Sequence, residues 1–425
     1  MKKILKSSLV LSGILLANFS FAQTGINGGN ASVTGQTGVV TTTVPFLLIS
    51  PDARSGGMAD VGVAVSPDAN AIYWNPAKLA FEPDEMGVCI AYTPWLSELV
   101  PDISLSSLSM YKTIDKFSGF GASLRYFSLG DITFTDNNNN YLKTFRPNEF
   151  AIDGGYARKL SDHFSIGVTG RFIYSDLAGA TPLSNGEVTK PAYDFAGDLS
   201  AYYTTKVKFK DGTKADLAFG GNITNIGGKI TYTDAANRDF IPTNLKVGGY
   251  LNVHINEYND LGFAVDLNKL LVPTPPIYAT DSNGNLEHNP DGTPKVLHGR
   301  DPNTSPIQGM LQSFYDAPGG FKQEMALIDP AIAIEYWYAH QVAGRIGFFY
   351  EDPNEGNRQY MTFGVGLRYS VFNIDFSYLV PTNGGTTTTR SPLENTLRFS
   401  LSFNFDKGTL KKAKENSQIG TDSNK

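Results

Sequence analysis

The chain has 425 residues, enough for one large or two ordinary domains, yet only 18% of them are charged, against roughly 25% in an ordinary soluble domain. Aromatic residues reach 12% and Gly numbers 43, a composition that leans away from a cytoplasmic helical enzyme. The formal charge of −6 becomes more acidic once Lys2, Lys3 and Lys6 are removed, so no nucleic-acid partner is expected, and the single Cys89 excludes an internal disulfide and any zinc site built on paired thiols.

In chain order, the three lysines precede an apolar stretch from Leu9 to Ala17 and a small-x-small site at Ser20-Phe21-Ala22, the pattern of an export signal over residues 1–22. The apolar stretch falls short of the roughly 20 residues that a spanning helix needs. Mean hydropathy is −0.19, and no later run qualifies either. After export the chain is therefore soluble or crosses a membrane as a β-barrel, whose strands alternate in polarity.

Residues 23–85 do not read as strand. Thr24 to Thr43 is rich in Gly, Thr and Asn and reads as extended. Ser50-Pro51-Asp52-Ala53 and Ser66-Pro67-Asp68-Ala69 then repeat a helix start, with Ser as the cap, Pro at the first helical position and an acid in the first turn. Two short helices are predicted. The second runs through Ala71, Ile72, Tyr73 and Trp74 and is broken by Asn75-Pro76-Ala77. Ahead of a hollow barrel such a piece serves as a plug in the lumen, with a periplasmic cap as the alternative placement.

Beyond residue 85 the period is two. In His163 to Ser175, Phe164, Ile166, Val168, Phe172 and Tyr174 share one face, while Ser165, Gly167, Thr169, Arg171 and Ser175 share the other. About fourteen such runs occur, near 87–93, 103–111, 117–128, 148–160, 163–176, 191–204, 214–223, 243–255, 261–270, 330–339, 343–350, 359–370, 372–380 and 393–405. The connections alternate between long and short, with an irregular turn across 205–213 and a very long connection from Leu271 to Asp329. Short turns on one rim and long loops on the other are expected of an outer-membrane barrel, and an even strand count returns both barrel ends to the periplasm. The competing architecture is a secreted β-sandwich, which has no reason to keep one rim short. The fold expected is all-β, a 14-stranded antiparallel transmembrane barrel over 86–405 with an N-terminal hatch over 23–85 and a polar periplasmic tail over 406–425.

This register sends Arg125, Arg171, Lys246, Asp266, Glu335, Arg345, Arg368, Asp375 and Arg398 into the lumen, where they pair with each other and with hatch residues such as Arg54, Asp60 and Asp68. Lining a solute path is their other use. The first loop carries Trp95, Leu96, Leu99 and Val100, more apolar bulk than a solvent loop needs, and the longest loop carries Pro273, Pro275, Pro276 and Pro294, which limit the entropy lost on docking. Both are candidate partner-binding segments, although Trp95 also suits an interfacial aromatic belt. No nucleophile elbow, Walker loop, dinucleotide fingerprint or zinc-protease motif occurs, and the five histidines are scattered, so no enzyme activity, cofactor or metal is expected. Asp281 to Asn285 reads as a solvated turn, since Leu286 stands where a calcium loop needs Gly.

The stretch from Ser50-Pro51-Asp52-Ala53-Arg54-Ser55-Gly56-Gly57 to Gly62, followed by Ile72-Tyr73-Trp74-Asn75-Pro76-Ala77-Lys78-Leu79-Ala80, closely resembles the N-terminal region of the PorV family, outer-membrane barrels of the Bacteroidetes type IX secretion system. Its Asn-Pro-Ala element also resembles the FadL family of hydrophobic-solute channels, fourteen-stranded barrels with an N-terminal hatch. The related PorQ type shares the hatch motif. The resemblance implies a non-enzymatic outer-membrane protein that binds the C-terminal signal domains of secreted cargo, closes the side of the translocon barrel (SprA/Sov type) and hands cargo to the sortase-containing attachment complex (PorU type). A FadL-like channel for small hydrophobic molecules is the alternative, and an exported enzyme on a β scaffold a distant third.

Overall fold

Large apolar side chains alternating with small or polar ones let a strand face lipid on one side and a packed interior on the other, and this pattern sets the whole architecture. The structure, a computed structural model, describes residues 39–95, 102–135, 141–182, 187–233, 238–382 and 396–406. The expected export signal and the tail beyond Asp406 lie outside the described residues.

Among the described residues, fourteen strands close into an antiparallel barrel: β1 (Met86–Pro94), β2 (Ser104–Thr113), β3 (Ser118–Ser128), β4 (Asn148–Lys159), β5 (Phe164–Asp176), β6 (Ala192–Lys208), β7 (Lys214–Gly227), β8 (Asn244–His254), β9 (Asn259–Leu270), β10 (Ile328–Tyr338), β11 (Val342–Tyr350), β12 (Gln359–Tyr369), β13 (Phe372–Pro381) and β14 (Thr396–Phe405). Each pairs with the next in sequence, and the ladder from Met86↔Phe405 to Tyr92↔Phe399 joins β1 to β14. No edge of the sheet is left to lipid. Every expected strand is present, within a few residues of its expected bounds.

The faces sort as the register requires. On β14, Leu397 and Phe399 are exposed outward at 48% and 44%, while Arg398 and Ser400 are buried inward at 2% each. On the outer wall of β4 to β6, Phe150 stacks on Tyr174 with ring centroids 5.0 Å apart and Phe172 packs on Phe195 at 5.3 Å. These rings lie towards the long-connection rim, as an interfacial aromatic girdle does.

One rim has only the short connections 114–117, 160–163, 209–213, 255–258, 339–341 and 370–371. The irregular turn expected there is absent, because the β6–β7 ladder runs four pairs further, from Thr205↔Leu217 to Lys208↔Lys214. The other rim, extracellular by the usual asymmetry, holds all the long connections. Some of them are structured: Ile132–Thr135 pairs with Tyr141–Phe145, Lys229–Ile230 with Asp239–Phe240, and Ile277–Tyr278 with Val296–His298, while the connection 271–327 also contains helices at Pro306–Gln312 and Phe321–Ala326. Asp281 Oδ1 accepts from the backbone N–H groups of Asn283 and Asn285, closing the turn read from the sequence.

Residues 43–85 cross the lumen from rim to rim. Thr43 N donates to Phe240 O at the long-connection side, and Glu85 N donates to Phe405 O at the short-turn side, each at 3.0 Å. Between them lie α1 (Ala53–Gly56), α2 (Ala71–Trp74) and short 3-10 turns at Pro45–Leu48 and Pro76–Phe81. The segment is a plug inside the barrel rather than a cap beneath it. Its helix starts differ from expectation: Ser50 and Ser66 are not the caps. Asp52 is extended and caps α1 by accepting from Ser55 N at 2.8 Å, and Asn70 precedes α2 with its N–H bonded to Asp68 Oδ1 at 2.8 Å. At α1 a carboxylate two residues closer to the free helix N–H groups takes the role that a serine hydroxyl would have filled.

Replacing Phe399 with Arg puts a charge into lipid at a cost of about 2 to 4 kcal/mol at mid-depth. That variant should fail to assemble, scored by heat-modifiable gel mobility, whereas Asn404→Arg, on the lumenal face beside Asp84 and Asp406, should assemble normally. Ser400→Arg is no suitable control, because Ala53 N donates to Ser400 Oγ and the plug occupies that space.

Candidate functional site

The lumen wall is built to let another backbone touch it. A side chain on Gly57 would put its Cβ 2.8 Å from the Gly364 Cα of β12, one on Gly220 of β7 would meet the carbonyl of Val63, and one on Gly167 of β5 would meet the backbone of Pro76 and Ala77. Glycine at these positions permits the hatch to lie against the strands. Buried hydroxyls and amides then satisfy its backbone. Ser400 Oγ accepts from Ala53 N at 2.8 Å, Thr362 Oγ1 from Ala59 N at 2.8 Å and Ser200 Oγ from Ala77 N at 3.0 Å, while Ser165 Oγ donates to Ala77 O at 2.7 Å. Ala59 and Asp60 hold left-handed backbone, with φ of 54° and 63°, a conformation that persists where the surroundings fix it.

The motif residues read from the sequence are the pieces of this interface. Asp52 accepts from Trp74 Nε1 at 2.6 Å and ties α1 to α2. Asn75 Nδ2 donates to Val63 O and to Ala201 O of β6, so one side chain joins the break after α2 to the wall. Ser50 Oγ bonds Asp52 O, Pro51 O accepts from Ser107 Oγ, and Gly56 O accepts from Arg398.

Charge holds the rest. Arg54 makes two 3.1 Å bonds to Glu335 and one of 2.8 Å to Asp68; Arg345 binds Glu335 at 2.8 Å and Asp375 at 2.6 Å; Tyr250 donates to Glu335 at 3.2 Å. A second network joins Arg125, Asp153, Arg171, Asp198 and Asn225, and Arg125 reaches Leu47 O of the hatch. Asp266 accepts from Gly62 N and Val63 N, Lys246 donates to Asp60 O, and Arg398 pairs with Asp60 at 3.4 Å. The expected lumenal charges thus face inward: Arg125, Lys246, Asp266, Glu335 and Arg398 bond the plug, while Arg171, Arg345 and Asp375 bond other charges of the wall. Arg368 is the outlier in burial: near the short-turn rim it stays exposed and lies over the Trp337 ring at 4.6 Å. Asp153 and Asp198 were not singled out from the sequence, although both alternate out of phase with outward neighbours, Ile152 and Leu199, and that phase was the available signal.

Among the described residues the plug leaves a chamber on each side. The outer, of about 510 Å³, is bounded by Val39 to Thr42, Tyr73, Trp74, Lys246, Phe349 and Arg358; the inner, of about 380 Å³, by Asp52, Arg54, Glu82, Asp84, Arg368 and Asp406. Over the outer rim the connection 271–327 folds on itself: Lys269 pairs with Glu324 at 3.1 Å, Thr274 N donates to Asp316, and Gln323 donates to Glu355 of the neighbouring connection. Pro273 and Pro276 are buried in this fold and Pro275 is exposed. Ile307, Leu311, Phe314, Tyr315, Phe321 and Met325 face solvent, Phe321 at 78%. Trp95 is half-buried against a cluster that includes Val44, Phe46 and Leu105; Leu96, Leu99 and Val100 lie outside the described residues. On the same rim, the Arg146 hydrogen bond holds the Asp131 carboxyl below its ordinary value.

A family model for the type IX secretion system protein PorV matches residues 32–277, more than half of the chain. The chain belongs to the PorV family. It is an outer-membrane component of the type IX secretion system, and the plugged lumen described above is that of a PorV-family barrel. Among solved structures it is similar to the Ralstonia pickettii toluene transporter TbuX, at 12% identity over 85% of this chain and 100% of that one, with a TM-score of 0.47. The P. putida toluene transporter TodX gives 13% identity over 84% and 98%, with a TM-score of 0.43, and a Pseudomonas aeruginosa FadL homologue gives 11% over 86% and 99%, with a TM-score of 0.41. No curated protein matches the chain.

Two measurements test the plug. Removing residues 45–81 should yield a barrel that conducts ions in planar bilayers while the intact protein does not; equal conductance would show that the hatch does not seal the lumen. Glu335→Ala leaves Arg54 and Arg345 facing each other without their shared carboxylate, a change of about 3 to 5 kcal/mol for a broken buried pair. It should lower the melting temperature of the purified protein clearly, whereas Lys295→Ala, which breaks an exposed pair with Glu287, should leave it unchanged.

Proposed function

We propose that this PorV-family barrel works as a cargo-binding shuttle: it binds the C-terminal signal domains of secreted proteins, docks against a translocon barrel of the SprA/Sov type and delivers cargo to a sortase-containing attachment complex of the PorU type. It reaches a Bacteroidetes-like outer membrane through its export signal, contacts outer-membrane lipid with its outer wall and carries no catalytic centre. The observation that carries this reading is the pairing of a lumen crossed by an ion-paired hatch with a folded outer loop that leaves Ile307, Leu311, Phe314 and Phe321 in solvent. A barrel whose interior is occupied by ion-paired hatch does its work on its surfaces, and exposed apolar side chains on an ordered scaffold suit protein contact. Trp95 to Val100 of the first loop and Pro275, exposed where Pro273 and Pro276 are buried, complete the candidate docking rim. Conduction of small hydrophobic molecules, the second use of such a barrel, requires displacement of buried pairs such as Arg54 with Glu335.

Leu311→Asp combined with Phe321→Asp should reduce co-purification of translocon and cargo in gentle detergent at least ten-fold and block cargo release, with heat-modifiable mobility unchanged. Trp95→Ser with Leu96→Ser should act in the same direction. Normal secretion by both variants would move the interface to the barrel wall or the periplasmic side, and a lone barrel carrying bound lipid would favour the channel.

A further inference from the structure

On the short-turn rim, neighbouring strands end level with one another at every step but one. Met86 pairs with Lys112, Ser118 with Arg158, Lys214 with His254, Asn259 with Tyr338, Val342 with Leu367 and Phe372 with Phe403. Between β5 and β6 the ladder stops at Phe164↔Tyr203, followed only by the bond from Thr204 N to His163 O, while β6 continues to Lys208 with β7 beside it. Residues 205–208 are therefore a strand edge without a neighbour on the β5 side, the one such step on this rim among the described residues.

Backbone groups alternate in direction along a strand. Thr204 N points to the β5 side and Phe209 N donates to Thr213 O on the β7 side, so the N–H and C=O groups of Lys206 and Lys208 face the empty lane. Such an edge is a template for another strand. The hairpin that carries it is basic. Lys206, Lys208, Lys210 and Lys214 are exposed, and among the described residues none of them pairs with an acid. Asp216, opposite Lys206 in the ladder, is held instead by His254 Nε2 at 3.0 Å, and Asp211 accepts from Thr213 N to close the turn. Across the lane, the turn 160–163 brings one acid, Asp162. Lys206 and Lys208 keep the lumenal phase of Ser200 and Tyr202, and Thr205 and Val207 keep the lipid-side phase of Leu199 and Tyr203. Lysines on an edge repel a second basic edge and favour an acidic one.

We propose that the β6 edge over residues 205–208 is a docking site for an extended acidic segment of a periplasmic protein. The segment adds as a strand in the lane that β5 vacates, with acids opposite Lys206 and Lys208 and an apolar residue opposite Val207. Four residues of edge offer about 14 Å of pairing at ~3.4 Å per residue. An anionic lipid headgroup matches the charge but not the repeat of donors and acceptors. The site is independent of what the outer loops bind.

The test uses the full chain in detergent micelles and a fluorescent probe peptide that alternates Glu and Val, read by anisotropy. Binding should saturate below about 1 mM and weaken about ten-fold or more for Lys206→Glu with Lys208→Glu. Lys206→Arg with Lys208→Arg should bind as the native chain does, with heat-modifiable mobility unchanged in both variants. The same peptide with every amide N-methylated keeps its charge, loses its N–H groups and should also bind about ten-fold more weakly. A photoreactive Val analogue in the probe should cross-link to residues 205–209. Absence of saturable binding, equal binding by the Glu double variant, or cross-links elsewhere on the barrel overturns the site. Equal binding of the methylated peptide overturns strand addition, and displacement of the probe by phosphatidylglycerol added to the micelles assigns the lysines to lipid and overturns a protein occupant.

Discussion

A polypeptide that crosses a bilayer as strands must pair every backbone amide within the protein, because lipid offers no partner. For fourteen strands the solution is closure, and closure creates an interior too wide for side chains alone to fill. The hatch answers that second requirement. Its own backbone then needs partners, which is why the inward face of the barrel carries Ser165, Ser200, Thr362, Ser400 and Asp266 at the hatch's N–H and C=O groups, and glycine where two backbones meet. Lipid fixes one face of each strand and the plug fixes the other.

Most of the barrel was legible because a two-residue period repeated fourteen times leaves little choice of register. The inward direction of Arg125, Arg171, Glu335, Arg345 and Arg398 followed from the same phase. Which charge meets which was not legible: Arg54 and Glu335 are 281 residues apart in sequence, and only the closed cylinder brings them together. The helix caps were misread because Ser-Pro-Asp offers two oxygens within three residues, and the choice of Asp52 over Ser50 depends on a carboxylate also needed by Trp74 of the next helix. The interior of the connection 271–327, with its buried Pro273 and exposed Phe321, has no period from which to read it.

A rigid interior has consequences for how such a protein engages partners. Arginine–carboxylate pairs without water access resist rearrangement, since separating them leaves an uncompensated buried charge. Conformational freedom is therefore displaced to the rims, where connections such as 351–358 and 271–327 are held by a few bonds, Gln323 to Glu355 and Lys269 to Glu324 among them. Membership in a secretion system fits that division, with a fixed cylinder as anchor and the changeable chemistry at its ends.

The path of the hatch also constrains the order of events in biogenesis. Residue 43 sits at one mouth of the barrel and residue 85 at the other, with the first strand following directly. A cylinder sealed in advance would have to admit that stretch of chain lengthwise, past carboxylates and guanidinium groups still seeking partners. Seating the stretch against an open, curling sheet and zipping β1 to β14 around it demands no threading. The seam from Met86↔Phe405 to Tyr92↔Phe399 is then the place where an insertion machine must hold the two ends apart until the cargo of its own interior is aboard.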